Sequence, residues 1–305
     1  MANQTNAPDG VLIINKHAGV TSHDIVGMTR RLFGTRAVGH AGTLDPMATG
    51  VLVVLIGRAA KASEYLTGED KRYVARLRLG LTTDTEDTTG VTLTTSDALP
   101  APDAVMSVMD HFRGNILQVP PMVSALKVGG QKLVDLARQG IEIERKARPV
   151  TIHSLLCEPT DTLSDYVLDV TCSGGTYIRT LCADIGAALG CGGAMAALDR
   201  RAACGFTIEQ SVTVAELEQM SMDERLARLI PTEQLFARLA SVTLTAFYDR
   251  LIGNGCAVAL TKLRLSLPLG TRLRLCHTDG AFFALGEVVD SDEGLALKAI
   301  KTFVL

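Results

Sequence analysis

The feature that most constrains the fold is an unbroken apolar run, VLVVLI, from Val51 to Ile56. The run is far too short to cross a bilayer, and the side chains of a strand point alternately to the two faces of its sheet. Both faces of this strand must therefore be covered. Because 47% of the 305 residues are hydrophobic, the chain can supply that cover. We predict a globular protein built around a buried central strand.

A second stretch, YVARLRLGL from Tyr73 to Leu81, alternates between apolar residues and two arginines, Arg76 and Arg78. This alternation predicts a half-buried strand with a basic outer face. Helical spacing of apolar residues recurs in GVTSHDIVGMTRRLFG, APDAVMSVMDHFRG and TYIRTLCADIGAALG, and a further helical region is expected from about Thr213 to Ile230. Thr21 and Asp24 have the spacing of a capping box at the start of the first helix.

The sequence pattern changes near residue 240, from mixed helix and strand patterns to strand patterns alone. TRLRLCHTDGAFFALGEVV has the pattern of two short strands around a turn at Thr278–Gly280, and GLALKAIKTF has the pattern of another strand. We therefore expect a small all-β module after about residue 240.

Cysteines and histidines give no support for a metal site or a disulfide framework. The seven cysteines include no C-x-x-C pair, and the six histidines include no H-E-x-x-H motif. We interpret the cysteines as small buried apolar residues. The first ten residues lack the pattern of a signal peptide, so the expected location is the cytoplasm, with no membrane segment.

The formal net charge of −3 does not by itself suggest a polyanionic partner. Basic residues nevertheless cluster in the first half of the chain, and the alternative is ordinary solvated surface charge. The clusters contain Arg30, Arg31, Arg36, Arg58, Lys61, Lys71, Arg72, Arg76, Arg78, Arg138, Arg145, Lys146 and Arg148.

One carboxylate stands in an unusual place. Asp45 lies in the glycine-rich stretch GHAGTLDP, directly before the buried run. Taken locally, an acid before proline is typical of a turn. Arg179, near the start of a predicted helix, is by the same local reasoning an exposed residue.

The stretch GHAGTLDPMATGVLVV closely resembles the signature of the TruB family, the bacterial tRNA pseudouridine-55 synthases. Five other segments match in the same order, and the resemblance covers nearly the whole chain. They are NKHAGVTSHDIV, KRYVARLRLGLTTDTEDTTG, VPPMVSALKVGGQKL and CSGGTYIRTLCADIG followed by LDRRAACGFT.

The resemblance implies an α+β protein with the pseudouridine-synthase fold: a central mixed, largely antiparallel sheet flanked by helices, plus a small C-terminal all-β PUA-like barrel. The implied domains are a catalytic domain over 1–240, with an RNA-clamping insertion over about 124–150, and a PUA-like RNA-binding domain over 241–305. Five basic residues would supply the charge of the insertion: Lys127, Lys132, Arg145, Lys146 and Arg148.

The implied activity is the isomerisation of uridine-55 in the T-loop of tRNA. The bond from ribose to base nitrogen breaks, the base turns, and it rejoins the ribose through carbon 5. Asp45 matches the family's catalytic aspartate and Arg179 its partner arginine. The chemistry fits, because a nucleophile must be ionised and a guanidinium can pair with a carboxylate through two hydrogen bonds.

Five further residues match family positions. Tyr73 would stack on the base and help to remove the proton from carbon 5, whereas Tyr177, Leu198 and Lys16 would contact the substrate. His40 would fill the space that the flipped base leaves. Four of them also have a plainer interpretation: core packing for Tyr73, Tyr177 and Leu198, and a polar turn residue for His40.

The resemblance implies no cofactor, a monomer, and the T-arm of tRNA as partner. Two positions depart from the family pattern: His17 replaces a proline and Val134 a tyrosine, and the second affects how the insertion packs or grips RNA.

Two alternatives remain open, a tRNA-folding chaperone without essential catalysis and a glycosidic hydrolase. A retaining hydrolase needs two carboxylates about 5 Å apart, and the clustered acids Asp84, Glu86 and Asp87 show no sign of a raised pKa in sequence.

Overall fold

The computed structural model describes residues 7–124 and 126–303. The strands are β1 (Gly10–Lys16), β2 (Val38–Ala41), β3 (Thr49–Ile56), β4 (Lys71–Leu79), β5 (Leu81–Thr83), β6 (Thr92–Thr95), β7 (Gly114–Gln118), β8 (Lys127–Val128), β9 (Gln131–Lys132), β10 (Arg148–Pro159), β11 (Asp165–Cys172), β12 (Gly193–Ala203), β13 (Phe206–Thr207), β14 (Ser241–Thr243), β15 (Val258–Ala259), β16 (Arg272–Cys276), β17 (Phe282–Ser291) and β18 (Gly294–Thr302). The α-helices are α1 (Ser22–Phe33), α2 (Pro102–Val108), α3 (Leu133–Ala137), α4 (Ile178–Ala188), α5 (Val214–Gln219), α6 (Met222–Ala227) and α7 (Ala246–Gly253). Shorter 3₁₀ helices span Gly57–Tyr65, Met109–Phe112, Ile208–Gln210 and Thr232–Phe236.

The larger sheet has the strand order β1-β3-β12-β4-β11-β10-β7, with β2 paired to β3 and β13 to β12. Neighbouring strands are antiparallel except for β3 and β12, which run parallel over Asp199–Arg200 and Thr49–Gly50. The mixed, largely antiparallel sheet with flanking helices confirms the predicted fold class.

Strand β3 is second in the strand order and is paired on both edges, and both of its faces are covered, as its apolar run predicts. Leu52, Val54 and Ile56 pack into one hydrophobic cluster, and the intervening residues pack into another on the opposite face. Helix α1 begins at the predicted capping box, where the Thr21 hydroxyl accepts the backbone N–H of Asp24. This helix covers the face of the sheet that carries Leu52.

Strand β4 has the predicted alternation, and two of the arginines on its outer face are paired with acids of β11, whereas Arg76 is exposed. Arg78 pairs with Asp165, which lies directly opposite, and Arg72 pairs with Asp169, which lies opposite the nearby Val74. Sequence periodicity placed the arginines correctly and missed their partners, because strand pairing joins segments far apart in the chain.

Three other expectations need adjustment. The helix predicted after Ala101 changes to a 3₁₀ turn at Met109, and the region from Thr213 to Ile230 forms two short helices, α5 and α6. Six cysteines are buried as expected, but Cys256 is exposed, so the interpretation of all seven as core residues is wrong there. Cys256 follows the Asn254–Gly255 turn at the end of α7, where few side chains cover it.

The second sheet begins at Ser241 and has the order β14-β16-β17-β18-β15. Strands β16 and β17 form the predicted hairpin, and the sheet forms a half-barrel consistent with a PUA-like domain. Within the described residues, no helix is long and apolar enough to cross a membrane. The domain division near residue 240 stays a prediction.

Candidate active site

Asp45 lies in the loop between β2 and β3, and its neighbours fix this loop at several points. The buried Ser22 hydroxyl donates to the Leu44 carbonyl at 3.1 Å and accepts the Leu44 N–H at 2.8 Å. The Asp45 carbonyl accepts the Ala48 N–H at 3.0 Å, so the segment is also the turn that local sequence rules predict. The loop thus presents Asp45 from a fixed backbone.

Lys16 lies beneath this loop. Its side chain is buried, and Nζ donates to the carbonyls of His17 (3.0 Å), Val20 (2.8 Å) and Pro46 (3.2 Å). Burial lowers the pKa of Lys16 to about 8. Because the contact at position 17 uses the main-chain carbonyl, histidine in place of proline leaves it intact. The structure gives Lys16 a contact with the loop and places it outside the lining of the cavity beside Asp45.

Asp45 faces Arg179 although 134 residues separate them. Arg179 Nε lies 2.9 Å from Asp45 Oδ2, and Nη2 donates to Oδ1 at 3.2 Å. The arginine side chain is only 5% exposed and the aspartate side chain 32% exposed. The local expectation of an exposed arginine on the first turn of α4 is therefore wrong, since the Asp45 loop and the loop after β5 cover it.

The loop after β5 also holds Arg179. Arg179 Nη1 donates to the Thr85 carbonyl at 3.1 Å, and Asp87 Oδ2 lies 4.0 Å from Nε. Asp87 is buried, and its Oδ1 accepts the Thr89 N–H at 2.9 Å. Sequence reasoning missed this role and treated the segment only as an acidic loop. No local spacing signals it, because the contact depends on how β5 and α4 meet.

A second prediction about the same loop, that none of its acids has a raised pKa, is also wrong. Burial raises the pKa of Glu86, whereas the sequence showed no acid of raised pKa there. Glu86 Oε2 accepts a hydrogen bond from the Thr180 hydroxyl at 2.6 Å and does not line the cavity. Of the residues that the structure describes around the cavity, Asp45 alone carries a carboxylate. This arrangement does not supply the paired acids that a retaining hydrolase needs.

A cavity of about 250 Å³ opens beside Asp45 and Arg179. Tyr73, Tyr177 and Leu198 line it. Tyr73 and Leu198 are buried and Tyr177 is half-buried at the N-cap of α4. Burial raises the pKa of Tyr73, and the charge of Arg200 opposes that rise.

His40 lies on β2, outside the cavity lining, opposite Val54. It is half-buried, and its Nδ1 is enclosed with no hydrogen-bond partner among the described residues. Burial lowers the pKa of His40. A neutral imidazole at this position, two residues before the Asp45 loop, is compatible with stacking against a base.

Sequence reasoning assigned no role to two cations of the cavity wall, Lys71 and Arg200. Both are buried, and Lys71 Nζ donates to the Glu69 carbonyl at 2.6 Å. Burial lowers the pKa of Lys71. Both residues lie in matched family segments, but their contacts with the main chain appear only in the folded structure.

The insertion contains the β8–β9 hairpin and α3. Arg145 is mostly buried and donates to the Pro120 carbonyl at 3.1 Å, so it serves the protein's own packing; Lys146 and Arg148 are exposed. The side chains of Lys127 and Lys132 lie outside what the structure describes. Val134 keeps a main-chain contact, its N–H donating to the Ser124 carbonyl at 3.0 Å.

A second cavity, of about 280 Å³, lies between the 3₁₀ helix Gly57–Tyr65 and the second sheet. Phe206, Phe236 and Leu285 are among its lining residues, and none of the predicted site residues reaches it. The functional candidate is therefore the cavity at Asp45.

The sheet and its flanking helices give the chain the pseudouridine-synthase fold, with an arginine-paired aspartate at a cavity that a strand tyrosine lines. A chain of a Cbf5–Nop10–Gar1 complex has this fold: the TM-score is 0.73 at 24% identity, with 100% of this chain and 88% of that chain covered.

The chain belongs to the TruB family. Residues 30–178 match the TruB family pseudouridylate synthase N-terminal domain, and residues 179–237 match the tRNA pseudouridylate synthase B C-terminal domain. The tRNA pseudouridine synthase B of Saccharophagus degradans is 42% identical, with 92% of each chain covered. That of Clostridium kluyveri is 40% identical over 97% of this chain and 100% of its own length.

Proposed function

We propose that the protein isomerises uridine-55 in the T-loop of tRNA to pseudouridine, in the cytoplasm. Membership of the TruB family supports the reaction. The observation that carries the assignment to this site is the Asp45–Arg179 pair, in which the arginine is buried and the carboxylate faces an open cavity. A carboxylate that is oriented and accessible in this way suits a nucleophile.

In the proposed mechanism, the uridine leaves the RNA stack and its base enters the cavity beside Asp45. Asp45 acts as the nucleophile: one carboxylate oxygen forms a transient bond to the nucleotide, and that bond breaks again before the product leaves, which restores the carboxylate. Arg179 holds the carboxylate in place. The bond between ribose carbon 1′ and base nitrogen 1 breaks, and its electron pair stays with the base. The base turns, carbon 5 bonds to carbon 1′, the proton on carbon 5 is lost, and nitrogen 1 gains a proton. No cofactor takes part.

Tyr73 also lines the cavity, where its ring would stack on the base. Because burial raises the pKa of Tyr73, the phenol stays protonated at neutral pH. Stacking is therefore its main contribution, and removal of the carbon 5 proton requires the base to be bound first. Leu198 and Tyr177 would complete the walls, with His40 filling the space in the RNA stack and Lys16 keeping the loop in place.

The RNA partner is the T-arm, recognised by its folded shape and its phosphates. The insertion over about 124–150 would clamp it, with Lys146 and Arg148 as exposed cations of described position. We further propose a catalytic domain over 1–240 and a PUA-like RNA-binding domain over 241–305, acting as a monomer.

The test uses an unmodified tRNA transcript tritiated at carbon 5 of uridine, with a transcript carrying cytidine at position 55 as control. We expect tritium release from the first transcript, with pseudouridine mapped to position 55, and none from the second. Tight binding without release would favour the chaperone, and free uracil would favour the hydrolase. Either result would contradict the proposal.

A further inference from the structure

Arg200 connects three elements of the site. On β12 it lies opposite Tyr73 of β4 and beside Gly50 of β3. Its side chain is fully buried, and Nε donates to the Val51 carbonyl at 2.7 Å. Nη2 donates to the Gly42 carbonyl at 2.9 Å and Nη1 to the Thr43 carbonyl at 3.3 Å. One side chain thus joins β3 to the two residues that open the Asp45 loop.

We propose that Arg200 is a positioning residue for the isomerisation: it fixes the backbone that carries Asp45 against the strand that carries Tyr73. The inference rests on the proposed function. Other contacts hold the rest of the loop, Ser22 at Leu44 and Lys16 at Pro46. Arg200 holds its first two residues, so the position of the nucleophile relative to the stacking ring depends on this guanidinium.

The charge of Arg200 argues for more than packing. Across residues 7–124 and 126–303, no carboxylate lies within 4.0 Å of its guanidinium, whereas Arg179 has Asp45. A buried cation without a carboxylate partner is costly, and a neutral side chain would fill the core more cheaply. In the site, however, this charge counteracts the effect of burial on the pKa of Tyr73 and is close enough to lower the pKa of Lys71.

The space around the loop is also shaped by this residue. A Cβ atom on Gly42, which has a φ of +79°, would lie 3.4 Å from Arg200 Nη1 and 3.4 Å from Lys71 Cε. These are ordinary van der Waals distances, so it is the positive φ that favours glycine here. The loop backbone at Gly42 thus lies in direct contact distance of both cations.

The experiment compares Arg200 with Arg225, a half-buried arginine remote from the cavity. Arg225 also donates to main-chain carbonyls, those of Leu217 at 2.8 Å and Leu32 at 2.9 Å. We would measure the single-turnover rate of tritium release at saturating enzyme, the Kd for tRNA and the thermal midpoint. The variants are Arg200→Met, Arg200→Lys, Arg225→Met and Arg225→Lys.

For Arg200→Met we expect a rate loss of about 100-fold with a Kd change below about threefold, because misplacing a reacting group by about 1 Å costs this much. Arg200→Lys should recover part of the rate, since it keeps the charge but cannot bridge three carbonyls. Both Arg225 variants should keep the rate within about twofold even if the thermal midpoint falls.

The inference is overturned if folded Arg200→Met keeps its rate within about threefold of the wild type, or if Arg225→Met loses as much rate. If Arg200→Met does not fold, the two lysine variants decide, with a loss of about tenfold or more expected for Arg200→Lys alone. Absence of any release by the wild-type protein would overturn the proposed function itself, and this inference with it.

Discussion

Two arginine–aspartate pairs within the first 200 residues have similar geometry and opposite exposure. Arg78 meets Asp165 through two hydrogen bonds of 2.9 and 2.8 Å, and Arg179 meets Asp45 at 2.9 and 3.2 Å. On the outer face of the sheet the arginine is 42% exposed and the carboxylate 2% exposed. At the cavity the arginine is 5% exposed and the carboxylate 32% exposed. The first pair therefore exposes a cation to solvent, whereas the second exposes a carboxylate to the cavity.

The difference follows from what surrounds each arginine. Arg78 extends from a strand into solvent and neutralises an acid of the next strand, so the pair stabilises the sheet. Arg179 enters a corner where the Thr85 and Val123 carbonyls use its remaining donors. It is thereby fixed, and it orients an acid that remains open to the cavity. We expect substitutions at the two pairs to separate activity from stability.

The largest effect should come from Arg179. Arg179→Met removes both hydrogen bonds to Asp45, and we expect a loss of about 10³-fold in single-turnover rate, comparable with the removal of a preorganised catalytic donor. Arg78→Met is the matched control and should keep the rate within about twofold. Tritium release at saturating enzyme measures both. A similar loss in the two variants would show that the comparison has no functional meaning.

A smaller loss of rate is expected when a side chain that holds the Asp45 loop is removed. Ser22→Ala removes both hydrogen bonds to Leu44 and leaves buried main-chain groups unpaired, at about 1–3 kcal/mol of stability. We expect a rate loss of about tenfold, because the nucleophile is less well placed. Thr29→Val removes another buried hydroxyl, which donates to the Ile25 carbonyl on α1, and should lower stability without changing the rate. Equal rates for Ser22→Ala and wild type would contradict this account of the loop.

The pH dependence of the reaction rate should report the titration of the Lys16 ammonium. Burial lowers its pKa to about 8, so the ammonium loses a proton as the pH rises through that value. The amine then has one donor fewer for the carbonyls of His17, Val20 and Pro46, and the rate should fall severalfold between about pH 7 and 9. Lys16→Met should be slower at pH 7 but flat over this range. An alkaline decline that persists in Lys16→Met must arise from another group.

The smallest effect on the reaction rate is expected at the Arg78–Asp165 pair, on the outer face of the larger sheet. Its hydrogen bond to Arg78 lowers the pKa of Asp165, so the pair adds stability above the unfolded pKa of about 3.9, and the gain is lost as the pH falls below it. Arg78→Met leaves the buried Asp165 carboxylate without its charged partner, so we expect a cost of about 1–3 kcal/mol of stability at pH 7 with the reaction rate unchanged. Urea unfolding at a series of pH values checks this. The cost should shrink towards pH 3, and a constant cost would exclude the ion pair as its source.

Sequence patterns predicted the elements that depend on local periodicity. The run at Val51 predicted a strand buried on both faces, the alternation after Tyr73 predicted β4, and Thr21 marked the start of α1. Motif resemblance identified Asp45 and Arg179 as partners, but only the fold brings them to 2.9 Å. The plain local interpretation of Arg179 as exposed was wrong because two loops distant in sequence cover it.

The contacts that sequence missed all cross between distant segments. Asp87 near Arg179, Asp165 beside Arg78 and Arg200 under the Asp45 loop depend on strand pairing and loop placement. Neither helical nor strand periodicity contains that information, since each describes one element at a time. The assigned roles of the cavity residues remain predictions that the variants above address.

The most direct test compares Asp45→Asn with Asp165→Asn. Each replaces a carboxylate bound by an arginine with its neutral isostere, and only the first faces the cavity. In single-turnover tritium release, the account predicts a loss of at least about 10⁴-fold for Asp45→Asn with tRNA binding retained, and a rate within about threefold of wild type for Asp165→Asn. An Asp45→Asn enzyme with more than about a tenth of the wild-type rate would contradict it.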